Sequence, residues 1–127
     1  IAEQLLKIKQ PYNINLAAQI AVKESLADLE YLQGTVRAII SERERLFRKL
    51  EELSFLKPFP SQANFIFCAV VEGDAERIHQ GLEKRGIFVR YFDTPLLRNS
   101  LRISVGKPEH SDALIEALRQ IGGKRSG

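Results

Sequence analysis

Two arginines lie within short apolar runs in the C-terminal third of the sequence. The runs Ile87–Tyr91 and Ser100–Val105 are rich in β-branched and aromatic residues, alternate in polarity and are separated by a turn with proline and asparagine. This pattern is typical of two neighbouring strands. Because side chains alternate across a strand, Arg90 and Arg102 each lie on the face opposite the apolar residues beside them. Each predicted strand therefore carries one arginine.

These arginines have two interpretations. The stem of each side chain can lie along the sheet while its charged end reaches water, which is the common arrangement for a charged residue in a strand. Alternatively, Arg90 and Arg102 converge on one anion, because planar guanidinium groups match carboxylate or phosphate oxygens two at a time. The spacing alone leaves both interpretations open.

Few other residues are suited to chemistry. His79 and His110 fall on predicted helices or their first turns without the spacing of a metal site, so we expect them at the surface. Cys68 lies in an apolar run, which predicts a buried structural thiol in a reducing compartment. The glycines do not form a phosphate-binding loop. We therefore predict no catalytic, cofactor-binding or metal-binding residue here, and the arginines remain as the candidate anion site.

Length and charge narrow the classes of function. The 127 residues suit one domain with a modest core. The net charge is +3, but 19 basic residues are interspersed with 16 acidic ones, unlike a nucleic-acid footprint. No apolar run approaches the roughly 20 residues of a membrane helix. We predict a cytoplasmic protein that binds neither nucleic acid nor membrane. Because Ile1 is not methionine, we expect the C-terminal piece of a longer polypeptide.

The first part of the sequence predicts helices. Asn15 can cap a compact helix that runs to about Leu26, and Asp28 can cap a longer one. The apolar residues of the longer helix follow three-and-four spacing and predict one buried stripe: Leu29, Leu32, Val36, Ile39, Leu46, Leu50 and Leu53. Charges of both signs on this helix, among them Glu42, predict a solvated face.

The second part predicts a sheet with helices. The short piece Phe55–Phe59 is ended by Pro58 and Pro60 and suits an edge strand, whereas the apolar run Asn64–Val71 predicts a central strand that is buried on both faces. A helix that Gly86 closes follows, and Pro108 begins the last helix. With the two arginine strands, this order predicts an α+β domain in which helices cover a mostly antiparallel sheet of three or four strands.

Four motifs together resemble the C-terminal part of histidinol-phosphate aminotransferases. They are Pro11-Tyr12-Asn13-Ile14-Asn15, Ser61-Gln62-Ala63-Asn64-Phe65-Ile66, Gly86-Ile87-Phe88-Val89-Arg90 and Leu101-Arg102-Ile103-Ser104-Val105-Gly106. The resemblance runs from about Leu5 to Ile121. It implies the small C-terminal domain of the aspartate-aminotransferase-like, fold type I pyridoxal-phosphate enzymes.

The resemblance also implies roles for the arginines. Arg102 matches the family's arginine that binds the substrate's carboxylate or phosphate group, and Arg90 matches the one that assists with the phosphate. Lys107 stands where the family often has a threonine that caps the last helix, so we expect a weaker or different cap there.

The same resemblance implies how the chain is organised. Residues 1–27 would link from a large domain, 28–54 would form a long connecting helix, 55–121 the small α+β domain and 122–127 a flexible tail. The family's Schiff-base lysine and cofactor-phosphate cup belong to the large domain and have no match here. This chain alone is therefore expected to be inactive.

The resemblance implies a homodimeric parent enzyme that uses pyridoxal phosphate. That enzyme would convert L-histidinol phosphate and 2-oxoglutarate to imidazole acetol phosphate and L-glutamate in histidine biosynthesis. Another class I/II aminotransferase or a phosphothreonine decarboxylase-like enzyme shares much of the pattern. A free-standing small-molecule-binding regulatory domain is a third possibility, because the order of strands and helices also suits ligand-sensing modules.

Overall fold

The computed structural model of this chain describes residues 3, 4, 7 and 14–122. Residues 1, 2, 5, 6 and 8–13, which include the motif residues 11–13, and residues 123–127 of the predicted tail lie outside the described residues. The chain forms two compact units, Ile1–Thr35 and Val36–Gly127. Within the described residues, no helix combines the length and the apolarity needed to span a membrane.

Two capped helices begin the described chain. Helix α1 comprises Leu16–Ala27 and helix α2 comprises Leu29–Glu51. Asn15 Oδ1 accepts a hydrogen bond from the Ala18 N–H at 2.8 Å, and Asp28 Oδ1 accepts one from the Tyr31 N–H at 3.1 Å. These bonds satisfy backbone donors that a helix leaves unpaired in its first turn. Both predicted caps are confirmed.

The predicted buried stripe of α2 is confirmed only towards its C-terminal end. Leu46 and Leu50 are fully buried, as is Leu53 just beyond the helix, but Leu29, Leu32 and Val36 are exposed. The reason is that the core packs against the second half of the helix. The prediction that all seven positions are buried is therefore wrong for the first half.

Four strands form one antiparallel sheet in the order β1-β2-β4-β3. The strands are β1 (Leu56–Pro58), β2 (Phe65–Val70), β3 (Arg90–Tyr91) and β4 (Ser100–Ser104). Helix α3 (Ala75–Glu83) joins β2 to β3, and helix α4 (Pro108–Gly122) follows β4. The α+β class, the antiparallel sheet and the edge position of β1 are confirmed.

One face of the sheet forms the core with the helices. The fully buried side chains Ile66, Cys68, Leu101 and Ile103 come from the two central strands. They pack in one cluster with residues of helices α2, α3 and α4: Leu46, Leu50, Ile78, Leu82, Leu114 and Leu118. Burial of such side chains contributes roughly 1.5–3 kcal/mol each to folding. This cluster fixes the strands that carry the arginines.

The second face of β2 does not match its prediction. Ile66, Cys68 and Val70 are buried, whereas Phe65 and Phe67 on the opposite face are only half-buried. The all-apolar sequence of this strand predicted burial on both faces. Within the described residues of the unit Val36–Gly127 the helices cover one face only, so the other face of this sheet is available to be covered or to bind a ligand.

The predicted strand Ile87–Tyr91 is shorter than expected. Only Arg90 and Tyr91 pair with β4. Just before them, the Ile87 N–H donates to the Leu82 carbonyl at 3.0 Å, so the chain is still closing α3 at that point. Gly86 has φ of 74°, which confirms its predicted role at the helix end, because a left-handed residue closes many helices.

A charged network ties α2 to the start of α4. Glu42, which is only 7% exposed, accepts two hydrogen bonds of 2.9 Å from Arg45. Arg45 also donates to Asp112 Oδ1 at 2.8 Å and to the Pro108 carbonyl at 2.9 Å, and Lys49 donates to the same Asp112 oxygen at 2.6 Å. The prediction of a solvated charged face is wrong for Glu42, because tertiary contact with α4 buries it.

This network makes stability depend on pH. Hydrogen bonds from Arg45 lower the pKa of Glu42 below its usual 4.5, although burial opposes the shift. A carboxyl whose pKa is lower in the folded state stabilises the fold above its unfolded pKa, and this stabilisation is lost as pH falls through the folded value. The contribution is therefore complete at pH 7 and is lost as pH falls below 4.5 through the lower folded-state pKa.

We expect Glu42→Gln to lower the free energy of unfolding by about 1–2 kcal/mol at pH 7, because the bonds that it weakens are charge-assisted. Urea unfolding of the 127-residue chain at pH 7 and at about pH 3 measures the effect, which should shrink at the lower pH. Glu44→Gln is the control, since Glu44 is exposed on the same helix. An equal loss at both pH values would contradict the ionic explanation.

Candidate functional site

The strand register brings the two predicted arginines together. Arg90 of β3 lies directly opposite Arg102 of β4, and Phe67 of β2 lies opposite Arg102 on its other side. Residues directly opposite each other in antiparallel strands are on one face, with Cα atoms roughly 4.5–5.5 Å apart. Both arginines are therefore neighbours on the sheet face that the helices do not cover.

Neither guanidinium group is neutralised within the described part of the chain. No ion pair in that part of the chain involves Arg90 or Arg102. Like charges directly opposite each other destabilise an antiparallel pair. Two exposed cations in this arrangement form a natural anion site, because an anion between them relieves their repulsion.

Aromatic rings lie against both arginines. The Arg102 Cζ is 5.3 Å from the centre of the Phe65 ring, and the Arg90 Cζ is 5.5 Å from the centre of the Phe92 ring. The Phe67 ring lies 6.4 Å from Phe92 and 5.9 Å from Phe59. We call Phe59, Phe65, Phe67 and Phe92 the aromatic floor. Lys57 adds a third cation, 5.8 Å from the Phe59 ring.

Sequence reasoning did not find the aromatic floor. The two-residue alternation of Phe65 and Phe67 was the available signal, since it places both rings on one face of β2. Their contact with the arginines depends on the pairing of β2 with β4, and Phe92 comes from a loop. Neither feature has a local sequence signature.

The histidines and the cysteine lie away from this site. Cys68 is fully buried on the core face, and burial raises the pKa of its thiol to about 12, which confirms a structural thiol. His79 is half-buried, with its ring 5.9 Å from that of Tyr91, so the surface prediction is only partly met. No group of three metal-ligating side chains occurs in the part of the chain that the structure describes.

The exposed His110 explains the unusual start of α4. Its Nδ1 accepts a hydrogen bond from the Lys107 N–H at 3.4 Å. A side chain three residues into the helix thus reaches back to the residue before Pro108, as in one half of a capping box. This contact supplies the different cap that the lysine at position 107 led us to expect.

Comparison with known proteins identifies the family. A family model described as aminotransferase class I and II matches residues 1–118. The chain belongs to this family. It is 49% identical over 122 residues to a histidinol-phosphate aminotransferase of Dehalococcoides mccartyi, covering 96% of this chain and 34% of the relative. The chain therefore spans about a third of the length of the curated relatives it matches.

Solved structures support the fold. The histidinol-phosphate aminotransferase from Clostridium acetobutylicum superposes with a TM-score of 0.80 at 23% identity, covering 96% of this chain and 37% of that one. A decarboxylase from Sulfurospirillum multivorans superposes with a TM-score of 0.82 at 22% identity, covering 98% and 33%. At such identities the likeness concerns the fold alone. This family member has the fold of the C-terminal domain of fold type I aminotransferases.

The described lysines do not fit the cofactor that the family implies. Pyridoxal phosphate needs a lysine whose amine is activated, commonly by burial. Lys57 is the lysine on the same sheet face as the arginines, but it is exposed and lies two strands from Arg102. Lys49 is held by Asp112. The described residues thus place two adjacent guanidinium groups on one sheet face and offer no lysine suited to the cofactor.

Proposed function

We propose that this chain is the C-terminal domain of a histidinol-phosphate aminotransferase, and that Arg102 and Arg90 bind the anionic end of its substrates. The observation that carries the proposal is the cross-strand pair of guanidinium groups with no ion-pair partner among residues 14–122. The similarity to histidinol-phosphate aminotransferases along nearly the whole chain supports the choice of substrate.

The two substrates make different demands on the pair. A phosphate dianion offers more acceptor oxygens than one guanidinium fork can satisfy, so two adjacent forks suit L-histidinol phosphate. The α-carboxylate of glutamate or 2-oxoglutarate needs only one fork, and we assign it to Arg102, whose strand is paired on both sides. Holding the anion at a fixed point places the amino group for transfer, which lowers the entropic part of the barrier.

The proposal also covers the cofactor, the domain organisation and the oligomeric state of the enzyme. Pyridoxal phosphate would supply the electron sink for amino-group transfer and would be held mainly by a large domain upstream of this chain. Within that enzyme, residues 1–27 would link this chain to the large domain, and residues 28–54 would form the long connecting helix. Residues 55–121 would form the small domain that binds the anionic end of the substrate, and residues 122–127 would be a flexible tail. The parent would be a cytoplasmic homodimer.

Amino transfer by the full-length polypeptide tests the function. We expect formation of glutamate from L-histidinol phosphate and 2-oxoglutarate when pyridoxal phosphate is supplied, and none with the 127-residue chain alone. Turnover with phenylalanine but not with histidinol phosphate would favour another aminotransferase. Release of carbon dioxide from L-threonine O-3-phosphate would favour a decarboxylase. If the full-length polypeptide shows none of these reactions, the enzymatic proposal is wrong.

A further inference from the structure

The arginine pair poses a physical problem that the substrate alone does not solve. Arg90 and Arg102 are exposed, carry long flexible side chains and lie directly opposite each other. Without a restraint, their mutual repulsion and their conformational freedom would turn both guanidinium groups away from each other into water. A site that must bind one anion with both groups needs something that holds them towards it.

The aromatic floor provides such a restraint. The face of an aromatic ring is electronegative and attracts a cation placed over it. Phe65 lies under Arg102 and Phe92 lies under Arg90, at 5.3 and 5.5 Å between ring centre and Cζ. A planar guanidinium group that rests one face on a ring keeps its N–H donors along its edge, where carboxylate or phosphate oxygens can accept from them.

The rings themselves are held in place. Phe65 belongs to β2 and lies opposite Ser104 of β4, so the sheet fixes its position beside Arg102. Phe92 immediately follows β3, and its ring rests 6.4 Å from Phe67, which lies opposite Arg102 in the register. Phe67 therefore supports the ring of Phe92 from the position opposite Arg102.

We propose that Phe65 and Phe92 are positioning residues that hold the guanidinium groups of Arg102 and Arg90, each in a fixed orientation on the open sheet face, for a phosphate or carboxylate. This inference rests on the proposed function of the arginine pair. The rings are not expected to contact the reacting atoms. Their effect should therefore be on the affinity for the anionic end, and amino transfer in the bound complex should change little.

Kinetics of the full-length enzyme test the inference. We expect Phe65→Leu and Phe92→Leu each to raise KM for L-histidinol phosphate about three- to fivefold, with kcat within about twofold, because leucine keeps apolar bulk but lacks the ring. The inhibition constant of inorganic phosphate should rise in parallel. Phe88→Leu is the control, because Phe88 is 76% exposed and the rings under the two arginines in the described chain are Phe65 and Phe92.

A fluorinated ring separates electrostatics from shape. Pentafluorophenylalanine at position 92 keeps the shape and apolarity of the ring but reverses the charge of its face, so KM should rise as in Phe92→Leu. Phe92→Tyr should restore KM to near the wild-type value. These variants decide the question even if the leucine variants do not fold.

The possible failures are distinguishable. Suppose Arg102→Gln raises KM while the leucine and fluorinated variants match wild type. The positioning role is then wrong and the arginine site stands. If Arg102→Gln also leaves KM and phosphate inhibition unchanged, the proposed function of the pair fails, and the inference fails with it.

Discussion

Replacing Arg102 by glutamine in the full-length enzyme is expected to lower kcat/KM for L-histidinol phosphate by about 100-fold. Charge-assisted hydrogen bonds contribute roughly 1.5–3 kcal/mol, and about 1.4 kcal/mol corresponds to a factor of ten. Arg102 lies on β4, which is paired with β2 and with β3, so its backbone is held on both sides. Arg90→Gln should cost only about tenfold, because β3 is a two-residue edge strand.

Three further variants distinguish the causes of this loss. Arg102→Lys keeps the charge but removes the planar fork, so it should lose about tenfold. Arg98→Gln removes one positive charge from the exposed loop before β4 and should change kcat/KM by less than about twofold. An Arg98→Gln effect as large as that of Arg102→Gln would indicate long-range attraction in place of a direct contact. The losses of the double variant of Arg90 and Arg102 should be less than additive, since the proposal has both groups bind one phosphate.

The fold was predictable wherever the residues that determine an element are close to it in sequence. Asn15 and Asp28 precede helices and can cap them within three residues, and Gly86 can adopt the left-handed backbone that ends one. Glu42 was not predictable in the same way. On its own helix it looks like one more exposed charge, and its burial depends on Arg45 and on Asp112 in a distant helix.

The candidate site was only half predictable. Strand alternation placed Arg90 and Arg102 each on one face, but whether they meet depends on the register between β3 and β4. Residues 92–99 separate these strands, and a loop of that length does not fix register as a two-residue hairpin turn does. The aromatic floor depends on the same pairing, because Phe65 reaches Arg102 from β2. Contacts between strands distant in sequence leave no local pattern.

Asn99 is another residue whose importance only the structure reveals. It is the described non-glycine residue with positive φ, at 60°. Its Oδ1 accepts from the Ala75 N–H at 2.7 Å, and its Nδ2 donates to the Val70 carbonyl at 2.7 Å and to the Gly73 carbonyl at 3.3 Å. One side chain thus joins the end of β2, the following turn and the start of α3 to the residue that precedes β4.

We expect Asn99→Ala to lower the free energy of unfolding by about 2–4 kcal/mol. The loss combines the hydrogen bonds, whose half-buried partners would be left unsatisfied, with a cost of roughly 1 kcal/mol for alanine in the left-handed region. Asn99→Gly removes the same bonds without that backbone cost, so it should lose about 1 kcal/mol less. Urea unfolding of the 127-residue chain measures both. Asn64→Ala is the control, because the Asn64 contact to Val105 uses its backbone carbonyl.

The two Asn99 variants separate its two contributions. Stability of Asn99→Gly equal to wild type would mean that the side-chain bonds contribute nothing, and equal losses for glycine and alanine would mean that the backbone is not strained.

The hydrogen bonds of Asn99 also affect the arginine pair. Asn99 immediately precedes β4, and its carbonyl accepts from the Val70 N–H at 2.9 Å, so it helps to fix the register that places Phe67 opposite Arg102. We therefore expect Asn99→Ala to weaken phosphate inhibition of the full-length enzyme even at temperatures where the protein remains folded, although Asn99 does not touch the anion.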